Sequence, residues 1–278
     1  MGKSTLMNRL VGERLSIVTS KAQTTRHRIF GVVDTPEYQI VYSDTPGILS
    51  PAYALQRTML KAVEDSLEDS DVLLYITDVV EQPDKHADVL ARIAESDIKK
   101  LLVINKIDLT KQSDLEALVA RWAELMPGAE ILPASALHGF GVDLIQPKLV
   151  EMLPEGPKYF PPDTLTDRPV RFFVTEIIRE KVLLYCRQEV PYSVEVAVRG
   201  YEEGETLDRI DAVIYVARES QKGILIGKGA SMLKRIGVAA RKDIESFVQR
   251  KVHLALTVQV AEDWRDDDAT LRRFGYME

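Results

Sequence analysis

The sequence predicts an α/β fold with a mostly parallel sheet, followed by a smaller α+β unit, and three observations carry that reading. Short apolar runs alternate with amphipathic stretches through the first half. The order of elements changes after a proline-rich stretch between Pro154 and Pro169. Polar loops fall repeatedly at the ends of the apolar runs.

The elements follow in order. Residues Ser4 to Val11, Leu55 to Leu67, His86 to Ala94, Asp114 to Met126 and Val142 to Met152 carry apolar side chains at helical spacing. The runs Ile29 to Asp34, Tyr38 to Ser43, Val72 to Thr77, Leu101 to Ile104 and Ile131 to Pro133 read as strands, the first two as a hairpin. Strands alternating with helices imply parallel pairing, covered on both faces. Pro157, Pro161 and Pro162 then interrupt both periodicities, as a linker does. Beyond it come a helix from Val170 to about Arg187, strands from Tyr192 to Val198 and Ala212 to Ala217, two helices around Ala230 to Ile236 and Val238 to Gln249, and a strand from His253 to Val260. The resulting division is 1–154, a linker 155–169, and 170–278, the last of ordinary size for a small domain.

Composition narrows the classes. The chain has 278 residues, 45% of them hydrophobic, enough for two cores, and no apolar run approaches a membrane span. The single cysteine, Cys186, excludes an internal disulfide and a cysteine-built metal site. No signal peptide opens the sequence, so a cytoplasmic location is expected. The formal charge of −7 argues against nucleic acid when averaged, but it is unevenly spread. Eight Lys and Arg between Lys222 and His253 face only Asp243 and Glu245, a local +6 that suits phosphates or, equally, a solvated helix face.

The loops carry the chemistry. Asn105-Lys106-Ile107-Asp108 closes the run Leu101 to Ile104, where ligands of open α/β sheets bind. An Asp there accepts the two N–H donors that guanine offers and adenine does not; the Asn amide holds the ring's other edge and the Lys stem covers its face. Gly2-Lys3-Ser4 is the second half of the phosphate loop G-x-x-x-x-G-K-S/T, in which Lys reaches the β and γ oxygens and Ser binds Mg²⁺. Asp44-Thr45-Pro46-Gly47 follows the second strand, so that Asp44 reaches Mg²⁺ through water and the Gly47 amide senses a γ-phosphate. Thr24-Thr25-Arg26-His27-Arg28 occupies the place of a mobile loop that supplies a Thr oxygen to the metal. Ser135-Ala136-Leu137 follows the strand at Ile131, with its backbone directed at the guanine O6. Ile48, directly after Gly47, cannot hydrogen-bond a water nucleophile, so its side chain is not the catalytic base.

The motifs Lys21-Ala22-Gln23-Thr24-Thr25-Arg26-His27-Arg28, Asp44 to Gly47, Asn105 to Asp108 and Ser135 to Leu137, followed by Gly223-Ile224-Leu225-Ile226-Gly227-Lys228-Gly229-Ala230, closely resemble the Era family of bacterial GTPases over essentially the whole chain. The resemblance implies a Ras-like GTPase domain over 1–154 and a type II KH domain over 170–278. It implies GTP hydrolysis with GTP or GDP and Mg²⁺ as cofactors, Lys3, Thr25 and Gly47 as catalytic groups, and Ser4, Thr25 and Asp44 as metal ligands. The nucleotide contacts it implies are Gly2, Lys3, Ser4, Thr5, Asp44, Gly47, Asn105, Lys106, Asp108, Ser135, Ala136 and Leu137. Its implied partner is the 3′ end of 16S ribosomal RNA during maturation of the 30S subunit, held by Lys222, Ile226, Gly227, Lys228, Gly229, Ala230, Lys234, Arg235, Arg241 and Lys242. Use of K⁺, and peripheral association with the cell membrane, are implications of the resemblance alone.

Two departures accompany it. The family carries a strand and a Gly-x-Pro-Asn-Val segment ahead of Gly-Lys-Ser; Met1 stands where that Val belongs, and the favoured expectation is a GTG codon read as a start. Ala230 replaces the last glycine of the G-x-x-G loop that clamps nucleic-acid backbone. At this point two alternatives stay open: an RNA-binding adaptor whose nucleotide domain is inactive, and a fragment of a Der-type tandem GTPase.

Overall fold

The structure is a computed structural model that describes residues 1–21, 23–81 and 87–277. The chain packs as two compact units. The first comprises Met1–Ser16, Ile29–Asp44 and Val63–Asp167; the second comprises Ile17–Arg28, Thr45–Ala62 and the chain from Arg168 onward. Packing therefore divides the chain differently from the sequence boundaries at 154 and 170. Two segments of the first half, one of them carrying the start of a helix, fold with the C-terminal part, while 155–167 folds with the first half.

In the first unit, helix α1 (Lys3–Val11) precedes a hairpin of β1 (Ile29–Asp34) and β2 (Gln39–Asp44), antiparallel with Ile29 opposite Asp44. Helix α2 (Ala54–Glu68) straddles the unit boundary and leads to β3 (Val72–Asp78), α3 (Ala87–Glu95), β4 (Lys99–Asn105), α4 (Gln112–Leu125), β5 (Glu130–Pro133) and α5 (Ile145–Met152). Strands β3, β4 and β5 pair in parallel with β4 in the middle, and Asp78 stands opposite Asn105. Leu101 to Ile104 is wholly buried because β4 is paired on both edges and covered above and below. Leu102 and Ile104 meet Leu90 and Ile93 of α3 and Trp122 of α4, the stripe that helical periodicity demanded. Residues 155–169 contain no helix or strand, yet they are tied down: Leu165 O accepts the Val32 amide at 2.9 Å, and Gln39 Oε1 accepts the amides of Tyr159 and Phe160 at 2.9 Å each.

The second unit holds α6 (Val170–Tyr185), β6 (Val194–Glu202), β7 (Leu207–Val216), α7 (Glu219–Ile226), α8 (Ser231–Val248), β8 (Lys251–Val260) and α9 (Asp268–Arg273). The sheet order is β6-β7-β8, antiparallel then parallel, and α7 with α8 forms the crossover that a parallel pair requires. One face is covered by α6 and α8, through Val174, Ile178, Val182, Ile236, Ala240 and Ile244 against Val196, Ile210, Ala212 and Ile214. A second cluster gathers Ala54, Leu55 and Met59 of α2 with Trp264, Leu271 and Tyr276.

Three details differ from expectation. The two helices expected around Ala230 to Ile236 and Val238 to Gln249 are one, α8; Gly237 does not break it but sits where a Cβ would come within 3.4 Å of Leu256 Cδ1, so the glycine serves close helix–strand packing. Helix α7 was not expected, because it is short and contains Gly223; Gln221 Oε1 fixes its start by accepting the amides of Ala217 and Arg218. Helix α9 was also not expected, although Asp267 caps it by accepting the Thr270 amide at 2.9 Å. The helix expected from His86 is described from Ala87; His86 itself lies outside the described residues.

Candidate functional site

The residues expected to read guanine assemble where β4 and β5 end. Asn105 is 2% exposed, and its Oδ1 accepts the amides of Lys106 at 2.9 Å and Ala136 at 2.8 Å, which ties the loop after β4 to the loop after β5. Lys106 has φ +62°, an unusual conformation for a residue with a Cβ, so the backbone turns sharply at the end of the strand. Asp108 accepts the Ser135 hydroxyl at 2.5 Å, and His138 Nε2 lies 3.7 Å from its other oxygen. The Ser135 hydrogen bond, the largest influence, holds the Asp108 carboxyl below its ordinary range, so it is an ionised acceptor near neutral pH. Leu137 is 69% exposed, and its carbonyl accepts from Arg9 of α1.

The phosphate-side residues meet in the same unit. Ser4 Oγ, in the first turn of α1, donates to Asp44 Oδ2 at 2.9 Å, and Asp44 is 4% exposed at the end of β2. Lys3 and Thr5 lie in that same turn, so the helix start and the strand end converge. Gly2 adopts φ +87°, and a Cβ on it would come within 2.6 Å of Asn105 Nδ2. A larger residue there would press against the Asn105 side chain. The hydroxyl of Ser4 and the carboxylate of Asp44 are a hard oxygen pair suited to Mg²⁺, which keeps several waters and takes few protein ligands.

Sequence reasoning missed Asp78. It ends β3, and it accepts Lys106 Nζ at 2.5 Å, the Met1 amine at 2.8 Å and the amides of Val80 and Glu81 at 3.0 and 2.9 Å. Burial alone would raise its pKa, but hydrogen bonds from Lys106 and the Met1 amine outweigh that and hold it well below the carboxylate range. The same hydrogen bond raises Lys106, against a smaller opposing effect of desolvation. Its place at the carboxyl end of a parallel strand was the available signal.

Thr25 and Gly47 fall in the second unit. Thr25 is 6% exposed. Beside it His27 stacks on Tyr276, with ring centroids 4.2 Å apart and planes 12° from parallel. Burial first, then the charges of Arg179, Arg168 and Arg26, push the His27 pKa down to about 3.

The residues expected to bind RNA divide by helix face. A groove of about 290 Å³ has Leu233, Val238, Leu254 and Leu256 in its walls and Ala230 and Gly237 at close approach. Lys234 and Arg241, seven residues apart on α8, supply its charge. Arg235 points elsewhere, over the Tyr185 ring at 4.2 Å, and Lys242 follows it by seven residues and shares its side. Lys222 pairs with Glu219 at 3.4 Å. Lys222, Arg235 and Lys242 are not among the groove residues. Gly227, directly after α7, has φ +71° and ψ 170°, where a side chain would be strained and a Cβ would meet Met232 at 3.0 Å; Lys228, Gly229 and Ala230 then form a single turn leading into α8. Ile226 is the last residue of α7. Ala230 itself has φ +61°, a left-handed position that a glycine would hold without strain.

A nucleotide-reading loop pair at parallel strand ends, joined in one chain to a helix-and-groove module with a glycine loop, defines a P-loop GTPase linked to a KH domain. Residues 1–106 match the family described as a 50S ribosome-binding GTPase, and residues 189–265 match the KH domain. GTPase Era of Syntrophus aciditrophicus (strain SB) is 43% identical over 281 residues, covering 100% of this chain and 92% of that protein. GTPase Era of Geotalea uraniireducens (strain Rf4) is 44% identical over 278 residues, covering 99% and 94%. The chain belongs to the Era GTPase family. Its fold is similar to that of Era in a crystal structure with MgGDPNP and nucleotides 1506–1542 of 16S ribosomal RNA, with a TM-score of 0.95, 37% identity and coverage of 100% and 95%. It is also similar to that of a single-substitution variant of Aquifex aeolicus Era bound to GDP.AlF4-, with a TM-score of 0.92, 38% identity and the same coverage. Whole-chain membership of this family replaces the Der-type alternative.

Proposed function

We propose that this chain is a GTP-hydrolysing switch that binds the 3′ end of 16S ribosomal RNA and assists maturation of the 30S subunit. The observation that carries the nucleotide half is the ionised Asp108, oriented by Ser135 at the joined ends of β4 and β5. The groove edged by Lys234 and Arg241 supports the RNA half, since single strands are held by a glycine loop, an apolar floor for bases and cations for phosphates.

In this reading residues 1–154 form the GTPase domain, 155–169 the connection and 170–278 the KH domain. Asp108 selects guanine, Asn105 braces the base loop, Lys106 covers the ring, and the backbone at Ser135, Ala136 and Leu137 borders O6. Gly2, Lys3, Ser4 and Thr5 receive the phosphates at the start of α1. By the family resemblance Ser4 and Thr25, with Asp44 through water, would hold Mg²⁺, which would supply positive charge to the phosphates. Because Ile48 cannot orient water, the Gly47 amide and Lys3 would be left to align the γ-phosphate, and by family resemblance alone a K⁺ ion would supply a second positive charge. Location in the cytoplasm, where subunits are assembled, follows from that role; peripheral membrane contact rests on the resemblance alone. No described helix is long and apolar enough to cross a membrane.

The test is direct. GTP and ATP binding, GTP turnover, and binding of a 3′-terminal 16S RNA oligonucleotide are measured on the purified chain. Guanine-selective binding with turnover and RNA affinity supports the reading. RNA binding without any nucleotide binding would leave the adaptor with an inactive nucleotide domain.

A further inference from the structure

Helix α1 meets the base-side loops at the end away from its first turn. Arg9 lies in its last turn, exposed to solvent, and its Nη2 donates to Leu137 O at 2.6 Å across 128 residues of sequence. The guanidinium also lies against the loop backbone, since a Cβ on Gly139, where φ is +80°, would come within 3.0 Å of Nη1. Among the described residues no carboxylate pairs with Arg9. A cation near the end of a helix is favourable on its own account, through the helix dipole. That effect needs no contact with Leu137, and it leaves both the carbonyl and the glycine unexplained.

The loop that Arg9 touches is fixed peptide by peptide. Its ends pair, the Ser135 amide donating to Phe140 O at 2.9 Å, and the Gly139 amide donates to Ser135 O at 2.8 Å. The peptide joining Ser135 to Ala136 is thereby held at its carbonyl, and it is held at its amide by Asn105 Oδ1 at 2.8 Å. The peptide joining Leu137 to His138 is held at its carbonyl by Arg9, while its amide reaches Ser135 Oγ only at 3.4 Å. Between these two lies the peptide whose N–H belongs to Leu137. Among the described residues that N–H has no protein acceptor. Because each peptide is a rigid plane, a donor left over between two fixed planes has its direction set by them, and Arg9 is the stronger hold on the second.

We propose that Arg9 is a positioning residue for base recognition: by holding Leu137 O, it aims the Leu137 amide at the 6-oxo group of a bound guanine nucleotide. This rests on the reading of the chain as a guanine-nucleotide binder. Arg9 acts through the loop backbone and does not touch the base. In that reading α1 receives phosphates at its first turn and fixes the reader of the 6-oxo group from its last, so one rigid helix of nine residues sets the spacing between two parts of the site. Discrimination at the six position then adds to that of Asp108, which accepts the N–H donors on the neighbouring edge.

The experiment measures the affinity of the full chain for GDP, IDP, 6-thio-GDP and ADP by competition titration near neutral pH, in the wild type, Arg9→Met and Arg9→Gln. IDP keeps the 6-oxo group and lacks the 2-amine. 6-Thio-GDP keeps both donors that Asp108 accepts and puts sulfur, a weak acceptor, in place of the 6-oxygen. The wild type should bind 6-thio-GDP less tightly than GDP. Each variant should lose roughly threefold to tenfold in GDP affinity, the scale of one hydrogen bond, and the same factor for IDP, with little change for 6-thio-GDP. A merely structural role, through the dipole or the stability of α1, would lower the melting temperature and weaken all three by one common factor. That common factor or an unchanged GDP affinity in a folded variant, or a wild type that does not distinguish 6-thio-GDP from GDP, overturns the proposal. Failure of the wild type to prefer GDP over ADP would instead sink the functional reading on which it rests.

Discussion

Ser135 Oγ and Asp108 Oδ1 lie 2.5 Å apart, so a residue of the loop after β5 already orients the carboxylate three residues beyond the end of β4. The serine donates; the carboxylate keeps its remaining lone pairs for a ligand. A base entering this site finds an acceptor whose rotamer is set and whose charge is maintained.

Nucleotide selectivity follows from that acceptor. Asp108→Asn should weaken GTP binding and favour xanthosine nucleotide, whose ring presents a carbonyl where guanine presents an amine. A mispaired hydrogen bond costs about 1 to 3 kcal/mol, or roughly tenfold or more in affinity. Competition titrations with the two nucleotides decide it, and unchanged GTP preference would remove Asp108 from the reader's role.

Stability should fall on mild acidification through His27. Its pKa is depressed in the fold, from 6.5 to about 3. Below pH 6.5 the unfolded chain therefore binds a proton that the folded chain refuses, and stability drops by about 1.4 kcal/mol per pH unit until the folded group titrates. His27→Phe, which can keep the stack on Tyr276, should flatten this dependence between pH 6.5 and about 5. Urea unfolding at a series of pH values, on nucleotide-free protein in chelator, compares the two; parallel curves would contradict the assignment.

Ala230 should be a stabilising site. Left-handed backbone costs a residue with a Cβ about 1 kcal/mol relative to glycine, partly offset by glycine's greater freedom when unfolded, so Ala230→Gly should gain about 0.5 kcal/mol or more. A denaturation midpoint equal to or below wild type would show that the loop relaxes around the alanine.

The two sides of α8 should separate in RNA binding. Lys234→Ala with Arg241→Ala should flatten the salt dependence by about 0.7 log units per lost phosphate contact. Arg235→Ala should leave that slope intact and lower stability, because Arg235 covers Tyr185. Oligonucleotide titrations of the full chain at several salt concentrations distinguish them, and equal slopes for both variants would mean that the groove is not the phosphate track.

What the sequence disclosed and what it hid have separate physical causes. Strand β4 was legible because an apolar run bounded by charge reports two-sided burial, and the motif at its end needed four residues in a row. The continuity of α8 was hidden because Gly237 looks like a break until Leu256 is seen pressing against it. Asp78 escaped because a lone acid at a strand end belongs to no string; its meaning comes from Lys106, which pairing of β3 with β4 brings beside it. The engagement of Arg26 with Glu195 could not be foreseen, since periodicity carries no information about contacts across 169 residues.

The interleaving of the chain has a consequence for biosynthesis. The second unit is assembled from Ile17–Arg28, Thr45–Ala62 and everything after Arg168, and its apolar cluster joins Leu55 and Met59 to Leu271 and Tyr276. A nascent chain emerges from its amino terminus, so Leu55 and Met59 leave the ribosome on the order of tens of seconds before the residues that will cover them. During that interval they are exposed greasy side chains on a partly made protein, open to chaperones and to misassociation. Leu55 and Met59 cannot take their final place until translation is nearly finished, and a truncated product lacking only the last dozen residues would lose Leu271 and Tyr276 from their cluster.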